Sequence, residues 1–362
     1  MTDLEKARQL INSADIRMAE LFEQRMDAVK LVAQYKKEHG VPVDDFAREE
    51  EIIKRNTANI ETEEYRSYYV NFLQSVIDLS KNMQHRLLDG MRVAYSGVEG
   101  AFANIVAERV FPDATCVPCK DFKAAYDAVV KGDCDCALLP IENSFNGDVG
   151  HVMDLAFFGS LFVTGVYEAE IVQNLLGVKG ATVDTVKEVI SHPQALGQCA
   201  SYIKKHSYRE IEAVNTAVAA KHVAEQGRLD IAAIGSEEAA KKFGLSKIES
   251  HINDASGNTT RFAVFSRAQK TPSKNDNHFI MLFTVKNVAG SLGRAVSVIG
   301  EHGFNLRALK SRPTKDLIWE YYFYAEGEGN IDSENGKQML KKLKECCSNV
   351  KVLGSFEKEI KV

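Results

Sequence analysis

No stretch of the 362-residue chain approaches the 18 or more apolar residues that a membrane helix requires, so a spanning helix is excluded. Excess positive charge is missing too. Lys and Arg number 45 against 50 Asp and Glu, a net charge of -5, whereas a dedicated nucleic-acid binder carries a basic footprint. The opening MTDLEKARQL lacks the apolar core of a secretory signal, so a cytoplasmic protein with no membrane or nucleic-acid partner is expected. No Walker pattern is present, and Gly97, Gly100 and Gly147 are assigned to backbone turns rather than to phosphate binding. Glycine and proline are nearly absent from residues 1–88, which hold only Gly40 and Pro42 and so have little to interrupt a helix.

Seven cysteines raise the question of a metal or redox site. Cys116-x-x-Cys119 has a knuckle spacing, but Cys134-x-Cys136 departs from the two to four intervening residues that zinc prefers. Alternation through CALLPI puts Cys134 and Cys136 on one strand face. They are expected to be free core thiols of a reducing compartment, with no metal and no cofactor.

What is present divides into three textures. The length argues for two or three domains. In residues 1–88 apolar residues recur at heptad-like spacing, Leu4, Ala7, Ile11, Ala14, Met18 and Leu21. This predicts a long helix stopped by HGVP, a second helix after Val43-Asp44, and a third over roughly Glu61 to Leu88. Residues 91–267 alternate short apolar runs (RVAYSG, CALLPIEN, LFVTGVY, IAAIGS, RFAVFS) with helical stretches, an α/β signature. After the polar linker RAQKTPSKNDN, residues 278–362 read as βαββαβ, an α+β ferredoxin-like order that includes a strand at LIWEYYFYAE.

Several polar residues are misplaced in the helical segment. Arg25 shares the heptad phase of positions 4, 11, 18 and 32, and Lys36 follows eleven residues on, about 16 Å along the same face. Asp45, Arg48 and Glu49 are spaced i, i+3, i+4, while Ser80 and Gln84 continue the apolar stripe of the third helix. Each alone is compatible with snorkelling or a solvated cluster. Several cations directed into one bundle need a counter-charge, and a small dianion supplies it.

In order and spacing, Arg8, Arg25, Lys36, Asp45, Arg48, Glu49, Ser80 and Gln84 resemble the functional set of the all-helical chorismate mutases. The resemblance implies that Arg25 and Arg48 hold substrate carboxylates and that Lys36 and Gln84 donate to the ether oxygen of chorismate. It further implies that Glu49 binds the ring hydroxyl, Asp45 and Ser80 support it, and Arg8 reaches into a partner subunit's site. A Claisen rearrangement needs no nucleophile or base, only a compact conformer and donors where charge develops on the ether oxygen.

The motifs VAYSGVEGAFAN, LLPIENSFNGDV, SHPQALGQC and GNTTRF, in that order, resemble prephenate dehydratase. That resemblance implies two lobes like type II periplasmic binding proteins, with prephenate in the cleft. Residues 91 to about 166 plus the strand near 261–267 form one lobe, and roughly 168–250 the other. The loops SGVEG and ENSFNG follow their strands, whereas Thr260 precedes its own; for all to meet, RFAVFS must run antiparallel to its neighbours. By resemblance Thr260 donates to the leaving ring hydroxyl. Glu142 is the rival acid, if burial raises its pKa. Asn143, Ser144, Ser191, His192, Gln194, Thr259 and Arg261, with Glu142, are the substrate-binding candidates. The family carries hydroxyl residues where this chain has Ala101 and Ala103, so any contact they make is absent here.

Gly290-Ser291-Leu292, Asn305-Leu306 and Ser311-Arg312-Pro313 resemble an ACT regulatory domain. The implied effector is L-phenylalanine, bound between paired domains, its carboxylate on the helix-start amides. The chain as a whole is thus expected to be a homodimer or higher homo-oligomer. It would convert chorismate through prephenate to phenylpyruvate under feedback by phenylalanine. The alternatives are a dehydratase whose helices only dimerise, and a non-catalytic effector-binding regulator.

Overall fold

The computed structural model describes residues 2–255, 257–314 and 320–362. The chain forms two compact units, 1–92 and 93–362. The first consists of α1 (Asp3–His39), α2 (Phe46–Thr57) and α3 (Glu63–Asp89). A capping box opens α1: Thr2 Oγ1 accepts from the Glu5 amide at 3.2 Å and Glu5 Oε2 accepts from the Thr2 amide at 2.7 Å. Gly40, at φ 65°, ends it in the left-handed region. Val29, Ala33, Leu73 and Ile77 are buried, but Leu4, Ile11, Met18 and Leu21 remain 48–60% exposed. The heptad stripe of α1 is therefore uncovered over most of its length in one copy.

The second unit begins with β1 (Arg92–Ser96), α4 (Phe102–Val110), β2 (Thr115–Cys119), α5 (Phe122–Lys131), β3 (Cys136–Asn143), β4 (Gly147–Asp148), α6 (Gly150–Phe158) and β5 (Phe162–Glu170). The chain then crosses to β6 (Asn174–Gly177), β7 (Glu188–Ser191), α7 (Pro193–Gly197), α8 (Ala200–His206), β8 (Arg209–Glu212), α9 (Thr216–Gln226), β9 (Ile231–Gly235), α10 (Glu237–Phe243) and β10 (Ser246–Glu249). It returns through β11 (Thr259–Ser266). Two sheets result, ordered β5-β11-β3-β1-β2 and β10-β6-β9-β7-β8, each the spine of one lobe. Strand β11 is antiparallel to both β3 and β5, while β1 and β3 are parallel. The start of β11 therefore meets the end of β3, at the edge of the sheet toward which β1 also points, as the positions of the motifs along their strands required.

A third sheet, β13-β14-β12-β15, follows: β12 (His278–Thr284), α11 (Ser291–Glu301), β13 (Asn305–Pro313), β14 (Tyr321–Glu328), α12 (Glu334–Cys346) and β15 (Asn349–Phe356). The expected strand at 317–326 is seen from Tyr321; residues 317–319 lie outside the described ones. One face packs Phe279, Met281, Phe283 and Ala325 under α11 and α12. On the other face Ile280, Leu282, Tyr324 and Leu353 share a core with Leu139, Val163 and Phe265 of the first lobe. A Cβ at Gly354 would lie 1.8 Å from the Val163 carbonyl oxygen, so glycine is required where the two sheets touch. Residues 267–278 thus mark a change of sheet rather than a break in packing. Beyond β15, β16 (Ile360–Lys361) adds a parallel edge strand to β5.

Candidate active sites

In the helical unit Arg25 donates to Ser80 Oγ, and to the Val76 carbonyl at 3.3 Å. Both partners are neutral, and burial lowers the Arg25 pKa. This is a half-buried cation aimed at a site that an anion would complete. Gln84, one turn beyond Ser80, is buried; its amide nitrogen reaches the Ser80 carbonyl at 3.3 Å. Lys36 Nζ sits 2.8 Å from the Val43 carbonyl. Other members of the set are engaged elsewhere. Asp45 caps α2 through the Arg48 amide at 3.0 Å, and Arg48 pairs with Glu51 at 2.5 Å on the exposed face. Glu49 is held by Lys81 at 3.0 Å, and Lys81 also binds Asp44 at 2.8 Å. Burial works against the Lys81 charge, but the hydrogen bonds to Asp44 and Glu49 outweigh it and raise its pKa. Lys81 and Asp44 were not among the sequence candidates, although Lys81 lies within the Ser80–Gln84 turn. Arg8 is exposed and about 25 Å from Arg25 along α1. One copy therefore does not bring it to the Arg25 site.

Between the two lobes lies a cleft of about 730 Å³ lined by Asn143, Gln173, His192, Gln194, Gln198 and Thr260 among others. Its best-defined feature is the pair Asn143–Thr260, adjacent across the β3–β11 ladder. Asn143 Oδ1 accepts from the Phe145 and Asn146 amides at 3.0 and 2.9 Å. Backbone N–H groups only donate, so the side chain's orientation is fixed and Nδ2 must face Thr260 Oγ1, at 2.9 Å. Thr260 Oγ1 thus accepts from Asn143, which leaves its own hydrogen free to point into the cleft. Asn258 accepts from the same Nδ2 at 2.8 Å.

The remaining dehydratase candidates divide by strand alternation. Glu142 and Arg261, neighbours of Asn143 and Thr260, project to the opposite face and do not line the cleft. Arg261 Nη1 bonds Glu142 at 2.7 Å, and Nη2 bonds Glu326 at 2.7 Å and also Glu359. Lys310 Nζ bonds the other Glu142 oxygen at 2.8 Å. Burial alone would raise the Glu142 pKa, but hydrogen bonds from Lys310 and Arg261 outweigh it and hold the carboxyl below its usual range. An acid kept ionised on the far face is a poor proton donor, so the geometry favours Thr260 over Glu142. It also removes Arg261 from the cleft, contrary to the expectation that it binds substrate there.

Ser191 is fully buried and donates to the Ile234 carbonyl at 2.7 Å, outside the cleft lining. Ser144 Oγ accepts from the Thr259 amide at 2.9 Å, and Thr259 Oγ1 donates to the Gly257 carbonyl at 3.2 Å, so both shape the loop before β11. His192 caps α7 and, with Gln194, faces the cleft. Gln198 was missed, although its i, i+4 spacing from Gln194 was a usable signal. Gln173, buried at the crossover between lobes, bonds Gln198 Oε1 at 3.2 Å. Nothing local in the sequence marks it.

In the third sheet Gly290 (φ 81°) caps α11, and Ser291 is buried. Asn305 is level with His278 at the start of β12, whereas Arg312 is level with Thr284 at its end, since the two pair with Glu328 and Tyr322 of β14. Asn305-Leu306 therefore lies at the opposite end of the sheet from the Gly290 turn, and Ser311-Arg312 at the same end. The Arg312 side chain is held by Asp154 at 2.8 and 3.0 Å, facing the first lobe.

Residues 7–85 match the chorismate mutase type II family, 93–270 the prephenate dehydratase family and 279–345 the ACT domain family. Arogenate dehydratase/prephenate dehydratase 2 of Arabidopsis thaliana is 33% identical over 276 residues, 74% of this chain and 72% of that protein. The bifunctional chorismate mutase/prephenate dehydratase of Aquifex aeolicus is 29% identical and covers 99% of each chain. Among solved structures, prephenate dehydratase from Arthrobacter aurescens in complex with L-Phe superposes with a TM-score of 0.68 at 25% identity, covering 74% of this chain and 90% of that one.

Proposed function

The chain belongs to the prephenate dehydratase family, and from that premise we propose how its segments divide the chemistry of a bifunctional chorismate mutase/prephenate dehydratase with an ACT regulatory domain. The observation that carries the reading is the Asn143–Thr260 pair, an oriented hydroxyl donor at the wall of a polar cleft. In the dehydration, the carboxylate C–C bond of prephenate breaks, its electron pair aromatises the ring, and the C4–O bond opens. CO₂ leaves, and the hydroxyl departs as water after gaining one proton. The Thr260 hydroxyl donates to that oxygen as its charge develops, which is where an oriented donor lowers the barrier. Threonine is too weak an acid to be the net proton source, so it acts as donor or relay. His192, Gln194, Gln198 and Gln173 hold the carboxylates and keto group.

In the helical unit Arg25, with neutral partners only, takes a chorismate carboxylate. Lys36 and Gln84 donate to the ether oxygen once substrate replaces their backbone partners. Arg48 must leave Glu51 to reach substrate, and Arg8 acts in a second copy. A homodimer follows: it covers the exposed stripe of α1 and supplies the missing arginine. The same holds for the effector. Gly290–Leu292 and Asn305-Leu306 lie at opposite ends of one sheet, and a second copy paired edge to edge along the edge strand β13 would bring them together around phenylalanine. Arg312, tied to Asp154, is a strut to the first lobe in this reading. The seven free cysteines suit a reducing compartment, and a cytoplasmic location is part of the proposal. Incubating purified protein with chorismate and following prephenate and phenylpyruvate tests both activities. Accumulation of neither product would overturn the reading.

A further inference from the structure

Arg261 is the most heavily committed cation of the described structure, yet it does not touch the cleft. Its side chain is 14% exposed and contacts three carboxylates, Glu142 from β3, Glu326 from β14 and Glu359 from the segment leading into β16. Glu326 and Glu359 are nearly buried, and Tyr324 Oη donates to Glu326 Oε1 at 2.7 Å. Lys310 of β13 bridges Glu142 and Asp148 at 2.8 and 2.5 Å, and Arg307 reaches Glu359 at 3.2 Å. Buried ion clusters of this kind contribute little to net stability, because desolvation offsets the attraction, but they fix geometry.

The geometry they fix is specific. Glu142 and Arg261 face each other across the ladder between β3 and β11; the next pair in register is Asn143 and Thr260. Strand alternation puts the first pair under the third sheet and the second pair in the cleft. A bulge interrupts the register between Arg261 and Phe262, so the ladder at this point is not set by regular pairing alone. Clamping Glu142 and Arg261 to Glu326 and Glu359 therefore locks the backbone that aims the Thr260 hydroxyl.

We propose that Arg261 is a positioning residue for the dehydratase reaction, acting through Glu142 and the Asn143–Thr260 pair, with Glu326 and Glu359 of the third segment as its anchors. This rests on the reading of the cleft as the dehydratase site. Arg261 contributes no contact to substrate; its removal shifts the donor, and misplacement by about 1 Å costs about 10²-fold in rate.

The test measures phenylpyruvate formation from prephenate by the full-length protein and by Arg261→Gln, Arg261→Lys and Glu359→Gln, with circular dichroism to verify folding. Arg261→Gln should lower kcat by about tenfold or more with KM within about threefold, the signature of an interaction felt only in the transition state. Arg261→Lys should recover part of kcat, since it restores the charge but not the fork. Glu359→Gln leaves the guanidinium two carboxylates and should lower kcat by about threefold; it carries the test if Arg261→Gln does not fold. An unchanged kcat in Glu359→Gln and Arg261→Lys overturns the proposal, as does a loss that falls on KM, which would mean that Arg261 binds substrate directly. Absence of phenylpyruvate formation by the unaltered protein would instead remove the dehydratase reading on which the proposal stands.

Discussion

The helical unit and the interlobe cleft are both read as sites for a small dianion, but they meet its charge differently. In the helices a single copy leaves Arg25 among neutral partners, Arg48 on the outer face and Arg8 about 25 Å away. In the cleft one chain supplies a wall where each atom of the Asn143 side chain amide has a partner and Thr260 Oγ1 accepts from it. The difference follows from topology. A sheet with crossovers brings residues more than a hundred positions apart onto one edge, whereas three helices joined by short loops have too little surface to enclose a ligand. In the proposed reading the first kind of site is complete on folding, the second only on association.

The largest effects should separate the two sites. Arg25→Ala or Lys36→Ala should lower chorismate conversion by about 10²–10³-fold or more, as for lost transition-state donors, with prephenate turnover nearly intact. Parallel loss of both activities in a folded dimer would erase the comparison. Next, Thr260→Val should lower prephenate turnover by about 10²-fold while mutase activity holds, and Thr260→Ser should retain much of the rate. A near-normal Thr260→Val beside an inactive Glu142→Gln would return the acid role to Glu142.

Association gives a smaller contrast. Ile11→Glu or Leu21→Glu on the uncovered stripe should shift sedimentation toward monomer and reduce mutase activity in proportion to the dimer lost. Dehydratase kcat should change by less than about threefold, because that site is complete in one chain. Loss of both activities together would mean that the cleft also depends on the partner.

The smallest effect concerns pH. Glu142 has a folded-state pKa below its ordinary 4.5, so below that value the unfolded chain binds more protons than the folded one. The stability this carboxylate contributes is present above its unfolded pKa and is lost as pH falls through the folded value. Across roughly pH 5 to 3 the melting temperature of wild type should therefore fall more than that of Glu142→Gln, by about 2–4 °C. Equal slopes would show that Lys310 and Arg261 do not hold the carboxylate in solution.

Much of this was legible beforehand. The first helix ends near HGVP and the third near Leu88 because glycine, proline and apolar periodicity act locally. The antiparallel return of RFAVFS followed from the requirement that three loops meet. Resemblance grouped Thr260, Arg261, Glu142 and Asn143 in one cleft, although strand alternation puts Thr260 and Arg261, and likewise Glu142 and Asn143, on opposite faces. What alternation left open was which face is the cleft.

That choice belongs to the tertiary structure. The far side of β11 is covered by the sheet of residues 278–356 and the segment that follows it, which bring Glu326 and Glu359 to Arg261 and Arg312 to Asp154 across separations of 65, 98 and 158 residues. Local pattern encodes period and polarity, and so determined the elements and their order; the register that sets Asn143 opposite Thr260 came only with the sheet. Long-range packing selects the partner for each face, because a guanidinium is as well matched by a protein carboxylate as by a ligand's. Only the assembled sheets decided that Arg261 serves the fold and Thr260 the cleft.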